Sequence, residues 1–563
     1  MKEALNIFND NFHIFKLGVS YNKRFFITNL IDMFFGNILV FINLLSPGLM
    51  INFIIEGNWE LVVRLLFFVL VINLLSSIWS YFFSCYSAIS QEQINIQVIR
   101  DFLQKSFKLK LEFFEDKAEY ERYTLIFDTC VGIIHKAQGI FISLISGLIK
   151  VIISASLLIW VDIWLVLIMM LVVVFNLGIY KKIKKIKYIQ QVDLSKKNMG
   201  INFIYRLFYM PQFIRDIKTN SLEKIIFKKK NEMTTDIINV VKHSTRSMAK
   251  FNFLAACLAN IETLIMTLYF ANKAFVGTLA IGDFYVAINP YATLKKSIES
   301  IFSLRNELYE NKLYINNYLT FMNEGGKIYE SENDSDAEKL DEIESIEFKN
   351  VYYKYLNSTN FSLQNISLSI KKGEKIAITG HNGAGKTTLI KLLLRLYEPS
   401  SGNIHLNGNN IKFYDLDSVR TQIAVLFQDY AIYPFTIYDN ITLGSDVQDD
   451  EMLKALRSFN LHDTITQLPL GINTPITSQL MEGGIEFSGG ELQKLAIVRT
   501  YLRKCNLVIY DEPTSNLDNE ITNRFVDEIL KEKFTLVMIT HNHDILYKFD
   551  RVYNLKDGKL MCS

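Results

Sequence analysis

Apolar positions are distributed in two ways along this chain. Up to residue 323 they form long, nearly unbroken runs, and beyond about 346 they form short runs that alternate with helical spacing. A helix needs about 20 mostly apolar residues to cross a bilayer core. Six stretches reach that length: 25–55, 61–88, 138–160, 162–180, 252–276 and 280–303. Pro47, Pro211 and Pro290 are the only prolines before residue 324, so the pattern predicts long, nearly uninterrupted helices.

The hydrophilic connections are short around 56–60, at Asp162 and around 276–283, and long and rich in Lys and Arg over 89–137 and 181–251. The positive-inside rule places the long segments and both termini in the cytoplasm. Lys181, Lys182, Lys184, Lys185 and Lys187 follow the fourth span and read as snorkelling anchors. Ile94, Val98, Ile99, Phe102, Leu103 and Phe107 recur at helical spacing, so the second span is expected to continue into the cytoplasm. Each long segment can form a helix, a turn and a returning helix.

Residues 1–24, with Phe8, Phe12, Phe15 and Leu17 among polar neighbours, read as an interfacial lead-in, and no cleavable signal peptide is expected. Lys150 and Glu262 lie near the middle of the third and fifth spans, where a charge must face protein or a wet cavity. They line a pathway, as a pair or singly, or they form structural ion pairs.

Composition supports a membrane half. Of 563 residues 50% are hydrophobic and 41 are Phe, while a net charge of +2 gives no sign of a nucleic-acid partner. Cys85, Cys130, Cys257, Cys505 and Cys562 are scattered, odd in number and without a Cys-x-x-Cys pair, so neither a metal site nor a disulfide framework is expected.

Residues 324–345 are acidic and aperiodic and read as a linker. Val- and Ile-rich runs at 376–379, 423–427, 507–510 and 535–539 then alternate with helices, predicting an α/β domain over 346–563 with much of its sheet parallel. Gly380, His381, Asn382, Gly383, Ala384, Gly385, Lys386, Thr387 and Thr388 form a complete phosphate-binding loop between a strand, 375–379, and a helix, 388–396. Its glycines let backbone N–H groups turn toward phosphate, Lys386 reaches the β and γ phosphates, and the Thr387 hydroxyl ligates Mg²⁺. Asp511 ends an apolar strand and suits the same metal, and Glu512 beside it suits a general base.

From these residues the chain resembles an ATP-binding cassette exporter half-transporter. The fold class expected is an all-α six-helix transmembrane domain over 25–323 with long cytoplasmic extensions, followed by an α/β P-loop ATP-binding cassette. Phe487-Ser488-Gly489-Gly490-Glu491 is similar to the Leu-Ser-Gly-Gly-Gln signature, with Phe for Leu and Glu for Gln. Ser488, Gly489 and Gly490 remain, so the γ-phosphate contact is expected to survive. The resemblance makes Gln428 the glutamine that senses Mg²⁺, His541 the switch histidine and Ser515-Asn516-Leu517-Asp518 the D-loop, with Asn516 where Ala is usual. It makes Tyr355 the aromatic that stacks on adenine, with Tyr353 as competitor, and Glu482 the exporter X-loop glutamate.

In the family, the phosphate loop and signature face each other only across a head-to-tail dimer. The resemblance therefore implies ATP and Mg²⁺ as cofactors, a second copy of this chain as partner and coupling helices near 115–125 and 208–220. A homodimer is favoured because every catalytic residue is present; a heterodimer is the alternative. It further implies a multi-pass protein of the cell membrane with its cassette in the cytoplasm. Phe114-Glu115-Asp116 followed by Tyr120, the stretch 310–321 and the stretch 491–499 look most like bacterial peptide or bacteriocin exporters. No peptidase domain is expected before the first span. Multidrug or lipid export by the same architecture is the alternative, and a membrane-bound ATPase acting as a sensor is a more distant one.

Overall fold

The computed structural model describes residues 2–161, most of 178–208, 211–323, and 337–562 apart from 357, 478–482 and 515–518. Most of the fourth expected span, Lys181, Lys184, Glu482, the D-loop with Asp518, and linker residues 324–336 lie outside the described residues.

The chain divides into two compact units, one of Met1–Ser106 with Arg122–Asn323 and one of Phe107–Glu121 with Glu324–Ser563. The first is helical. Among the described residues its helices include α1 (Lys2–Tyr21), α2 (Lys23–Ile55), α3 (Trp59–Ser106), α5 (Lys117–Val161, from Arg122 on), α6 (Pro211–Thr219), α7 (Glu223–Phe275) and α8 (Ile281–Asn323). The short helix α4 (Leu111–Glu115) lies between α3 and α5 and belongs to the second unit. Among the described residues α2, α3, α5 and α7 each contain a window long and apolar enough to cross a membrane. The expected last span lies in α8, a continuous helix of 43 residues. At 48 residues α3 exceeds the length a bilayer core needs, and Ile94, Val98 and Phe102 in its polar extension are buried.

Two prolines sit inside helices, Pro47 in α2 and Pro290 in α8. Helices α2 and α8 cross at Gly48 and Gly282, where a Cβ on either residue would collide with the backbone carbonyl of the other. Asn52 secures the crossing, accepting from Gly282 N (2.8 Å) and donating to Asp283 (3.1 Å). Small residues permit such close backbone approach in membrane bundles, and polar side chains then bridge the helices.

The second unit is the α/β domain. An antiparallel sheet has the order β2–β1–β4–β5, built from β1 (Ser345–Tyr353), β2 (Leu363–Lys371), β4 (Ser401–Leu406) and β5 (Asn409–Asn410). A six-stranded sheet has the order β10–β9–β3–β8–β7–β6, from β3 (Lys375–Thr379), β6 (Ile423–Leu426), β7 (Leu507–Asp511), β8 (Thr535–Ile539), β9 (Arg551–Lys556) and β10 (Lys559–Cys562). All its pairings are parallel except β9 with β10. Every residue of β3, β7 and β8 is buried, which explains why these strands read as continuous apolar runs with no alternation. This order places the carboxyl ends of β3, β8, β7 and β6 side by side, where open parallel sheets bind ligands.

Candidate functional site

Each of those four strand ends delivers a residue singled out from the sequence. The phosphate loop leaves β3 and enters helix α9 (Lys386–Leu393). Gly380, Gly383 and Gly385 have φ of +150°, +80° and +104°. A Cβ at Gly385 would lie 2.7 Å from Leu363 Cδ2 and 2.8 Å from the Ser362 carbonyl oxygen, so this position excludes side chains for space as well as conformation.

Lys386 is buried and donates to the carbonyls of Gly380 (2.8 Å) and His381 (3.2 Å). Its Nζ also lies 3.1 Å from His541 Nε2 and 3.7 Å from Glu512 Oε1. Thr387 donates to Asp511 Oδ2 at 2.7 Å. Asp511 is 1% exposed, and burial pushes its carboxyl above the usual range, offset in part by the Thr387 hydrogen bond.

Glu512 stands at the centre. Gln428 Nε2 donates to its Oε2 at 2.9 Å, and His541 Nε2 lies 3.0 Å from Oε1. Its backbone is left-handed, with φ +52°, held by a hydrogen bond from its N–H to the Ile539 carbonyl (3.0 Å). A non-glycine residue in that conformation costs roughly 1–2 kcal/mol. The turn thereby aims the carboxylate along the strand ends. Thr387 and Asp511 offer hard oxygen donors within hydrogen-bond reach of each other, and Gln428 leaves its amide oxygen free of this contact, so the donor set fits Mg²⁺.

The two candidate tyrosines differ in burial. Tyr353 is 3% exposed and packs in the core, whereas Tyr355 is half-buried, with its hydroxyl 2.9 Å from Thr388 Oγ1. Ser488 caps helix α10 (Gly489–Leu502) in a capping box with Glu491. Glu491 Oε2 accepts from Ser488 N (2.9 Å) and Oγ (2.7 Å), and those bonds hold its carboxyl below the usual range. Among the described residues no hydrogen bond joins Ser488, Gly489 or Gly490 to the phosphate loop.

Supporting residues went unread in the sequence because their partners are distant along the chain. Gln493 is buried and donates to the Pro513 carbonyl (2.7 Å), fixing the turn after Glu512 from α10. Arg499 donates to the carbonyls of Asn440 (2.7 Å) and Ala431 (2.8 Å), clamping the stretch that follows Gln428.

In the membrane unit Glu262 is buried but does not pair with Lys150. Tyr291 donates to it and Lys295 forms its ion pair, tying α7 to α8. A cavity of about 160 Å³ adjoins this tie, lined by residues that include Thr263, Thr267, Tyr291, Lys295 and Lys296.

Residues 363–515 match the ABC transporter family. The chain is 25% identical over 581 residues to the subtilin transport ATP-binding protein SpaT of Bacillus subtilis, an alignment covering 100% of this chain and 92% of that one. It is 25% identical over 455 residues to the nisin transport ATP-binding protein NisT of Lactococcus lactis subsp. lactis, covering 79% and 75%. A mitochondrial iron-sulfur clusters transporter, ABCB7 of Oryzias latipes, is 29% identical over 321 residues, and the chain spans only 42% of its length. The solved structure of a bacterial Atm1-family ABC exporter with ATP bound superposes with a TM-score of 0.79 at 19% identity, covering 96% of this chain and 95% of that one.

Proposed function

Because this chain is an ATP-binding cassette exporter half-transporter, its helical membrane domain fused to its nucleotide-binding domain, we propose that it hydrolyses ATP to export a peptide across the cell membrane. The observation that carries the ATPase reading is the convergence of Lys386, Thr387, Asp511, Glu512, Gln428 and His541 at four adjacent strand ends.

In this reading Lys386 and the loop 380–388 hold the phosphates, and Tyr355 stacks on adenine. Thr387, Asp511 and Gln428 hold Mg²⁺, which when bound neutralises phosphate charge. Glu512 accepts the proton of the attacking water, and His541, within reach of both Glu512 and Lys386, contacts the γ-phosphate. Ser488, Gly489 and Gly490 act on the phosphates held by a second copy of the chain. Closing and reopening of the two cassettes then alternates access through the membrane domain.

The peptide assignment is supported by extent of match. The nisin and subtilin transport proteins align with 79% and 100% of this chain, whereas the iron-sulfur transporter aligns with 56%. Reconstitution in inside-out vesicles tests it through ATP-dependent uptake of peptides, lipids and dyes, with Glu512→Gln as the inactive control. Peptide uptake is expected; uptake of lipids or dyes alone would overturn the peptide assignment.

A further inference from the structure

Helix α4 and its flanks, Phe107–Glu121, belong to the same compact unit as the cassette although they connect α3 to α5 in sequence. The attachment is polar and specific. Lys110 pairs with Glu398 (3.2 Å), which also pairs with Lys412 (2.9 Å). Glu115 accepts hydrogen bonds from the Tyr397 hydroxyl and from Lys391 Nζ (3.2 Å), and that same Nζ lies 3.1 Å from the Tyr397 hydroxyl. Apolar anchoring is present too, since Phe113 is 5% exposed and Leu111 packs on the cassette core.

Tyr397 leads back to the nucleotide site. Its ring is 2% exposed, stacked on Tyr353 (centroids 5.1 Å apart, 11° between planes) and edge-on to Tyr355 (5.6 Å, 83°). Tyr353 and Tyr355 also meet edge to face at 5.1 Å. Close-packed rings of this kind move together, because an interior at native density has no space for one to shift alone. Helix α9 reinforces the connection from below. Thr388 touches the Tyr355 hydroxyl, and one turn later Lys391 touches Glu115. Burial and the neighbouring Glu115 carboxylate push the Tyr397 phenol far up, so at neutral pH it is a donor to Glu115.

We propose that Glu115 is a positioning residue through which the base of the nucleotide, and not its phosphates alone, sets how firmly residues 107–121 are held on their own cassette. A purine stacked on Tyr355 restricts that ring, Tyr355 restricts Tyr397, and the Tyr397 hydroxyl fixes Glu115. The segment is covalently continuous with α3 and α5, so the base has a route to the membrane helices separate from Gln428 and Glu512. By reciprocity, whatever docks the segment must favour the base equally. The inference rests on the ATP-binding reading above.

The test measures hydrogen exchange of peptides spanning 107–121 in the full-length reconstituted protein carrying Glu512→Gln, with saturating ATP or inorganic triphosphate. ATP is expected to slow exchange there at least about fivefold more than triphosphate does, the lower range of coupling between linked sites. Tyr397→Phe, which removes one hydroxyl from an intact ring stack, is expected to abolish that difference. In the otherwise wild-type protein, Tyr397→Phe and Glu115→Ala should leave basal ATPase kcat unchanged and lower its stimulation by substrate, and Glu115→Gln, which keeps an acceptor oxygen, should partly restore stimulation. Equal protection by triphosphate and ATP, or full protection in Tyr397→Phe, would overturn the proposal while the exporter reading stands. Failure of the parent protein to bind ATP at all would overturn both.

Discussion

At Glu491 one side chain serves two demands that conflict. Its carboxylate completes the capping box with Ser488 at the start of α10, where a negative charge is favourable to the helix by roughly 0.3–1 kcal/mol. The same charge lies within hydrogen-bond distance of the serine assigned to a phosphate. Glu491→Gln keeps the cap geometry and removes the repulsion, so the KM for ATP is expected to fall while thermal stability drops by less than about 1 kcal/mol; an unchanged or higher KM would contradict this. Asp511 carries a similar conflict. Its burial raises the carboxyl pKa against the pull of Thr387 and Lys386, with Glu512 and Asp429 adding to the rise. A raised folded-state pKa contributes stability that is present below the ordinary carboxylate value and lost as pH climbs through the folded one. Asp511→Asn is therefore expected to raise the nucleotide-free melting temperature at pH 7.5 by about 2–4 °C, with the gain shrinking toward pH 4, and to abolish Mg²⁺-dependent ATP binding. A melting temperature that falls at pH 7.5 would contradict this.

Between elements, the strongest determinants are contacts that join two helices or two strands far apart in sequence. The α7–α8 tie pairs Glu262 with Lys295 in a region that reads as membrane-embedded. Removing one partner of a buried pair costs about 3–5 kcal/mol, whereas removing both is often close to neutral. Lys295→Met alone should therefore lower the melting temperature in detergent, and adding Glu262→Gln should restore it. If the restored double variant also keeps substrate-stimulated ATPase, the tie is structural; if stimulation is lost, the adjoining cavity belongs to the pathway. The cassette shows the same rule in its sheet. β3, β8, β7 and β6 are adjacent in space but scattered over more than a hundred residues of sequence, and their order alone assembles the ATP site.

For the whole molecule, the phosphate loop and the signature lie on one chain without a hydrogen bond between them among the described residues. A head-to-tail dimer makes a precise demand on mixed assemblies. Lys386→Ala and Ser488→Arg should each inactivate a homodimer. Co-expressed, they should recover roughly a quarter of wild-type ATPase, since half the dimers are mixed and each holds one intact site of two. No recovery in purified mixed dimers would sink the shared-site arrangement.

The sequence by itself determined the helical membrane half, the parallel-sheet cassette and the residues of the phosphate loop, because hydropathy, strand composition and motif spacing are local properties. It also marked Gln428, Asp511, Glu512 and His541 as candidates for one site, while the contacts among them come from the fold. Tertiary structure alone decided which of Tyr353 and Tyr355 is buried, that Glu262 pairs with Lys295 and not Lys150, and that residues 107–121 cluster with the cassette through Glu115 and Tyr397. Each of these is a choice among chemically similar partners, and only the packing of distant segments distinguishes them.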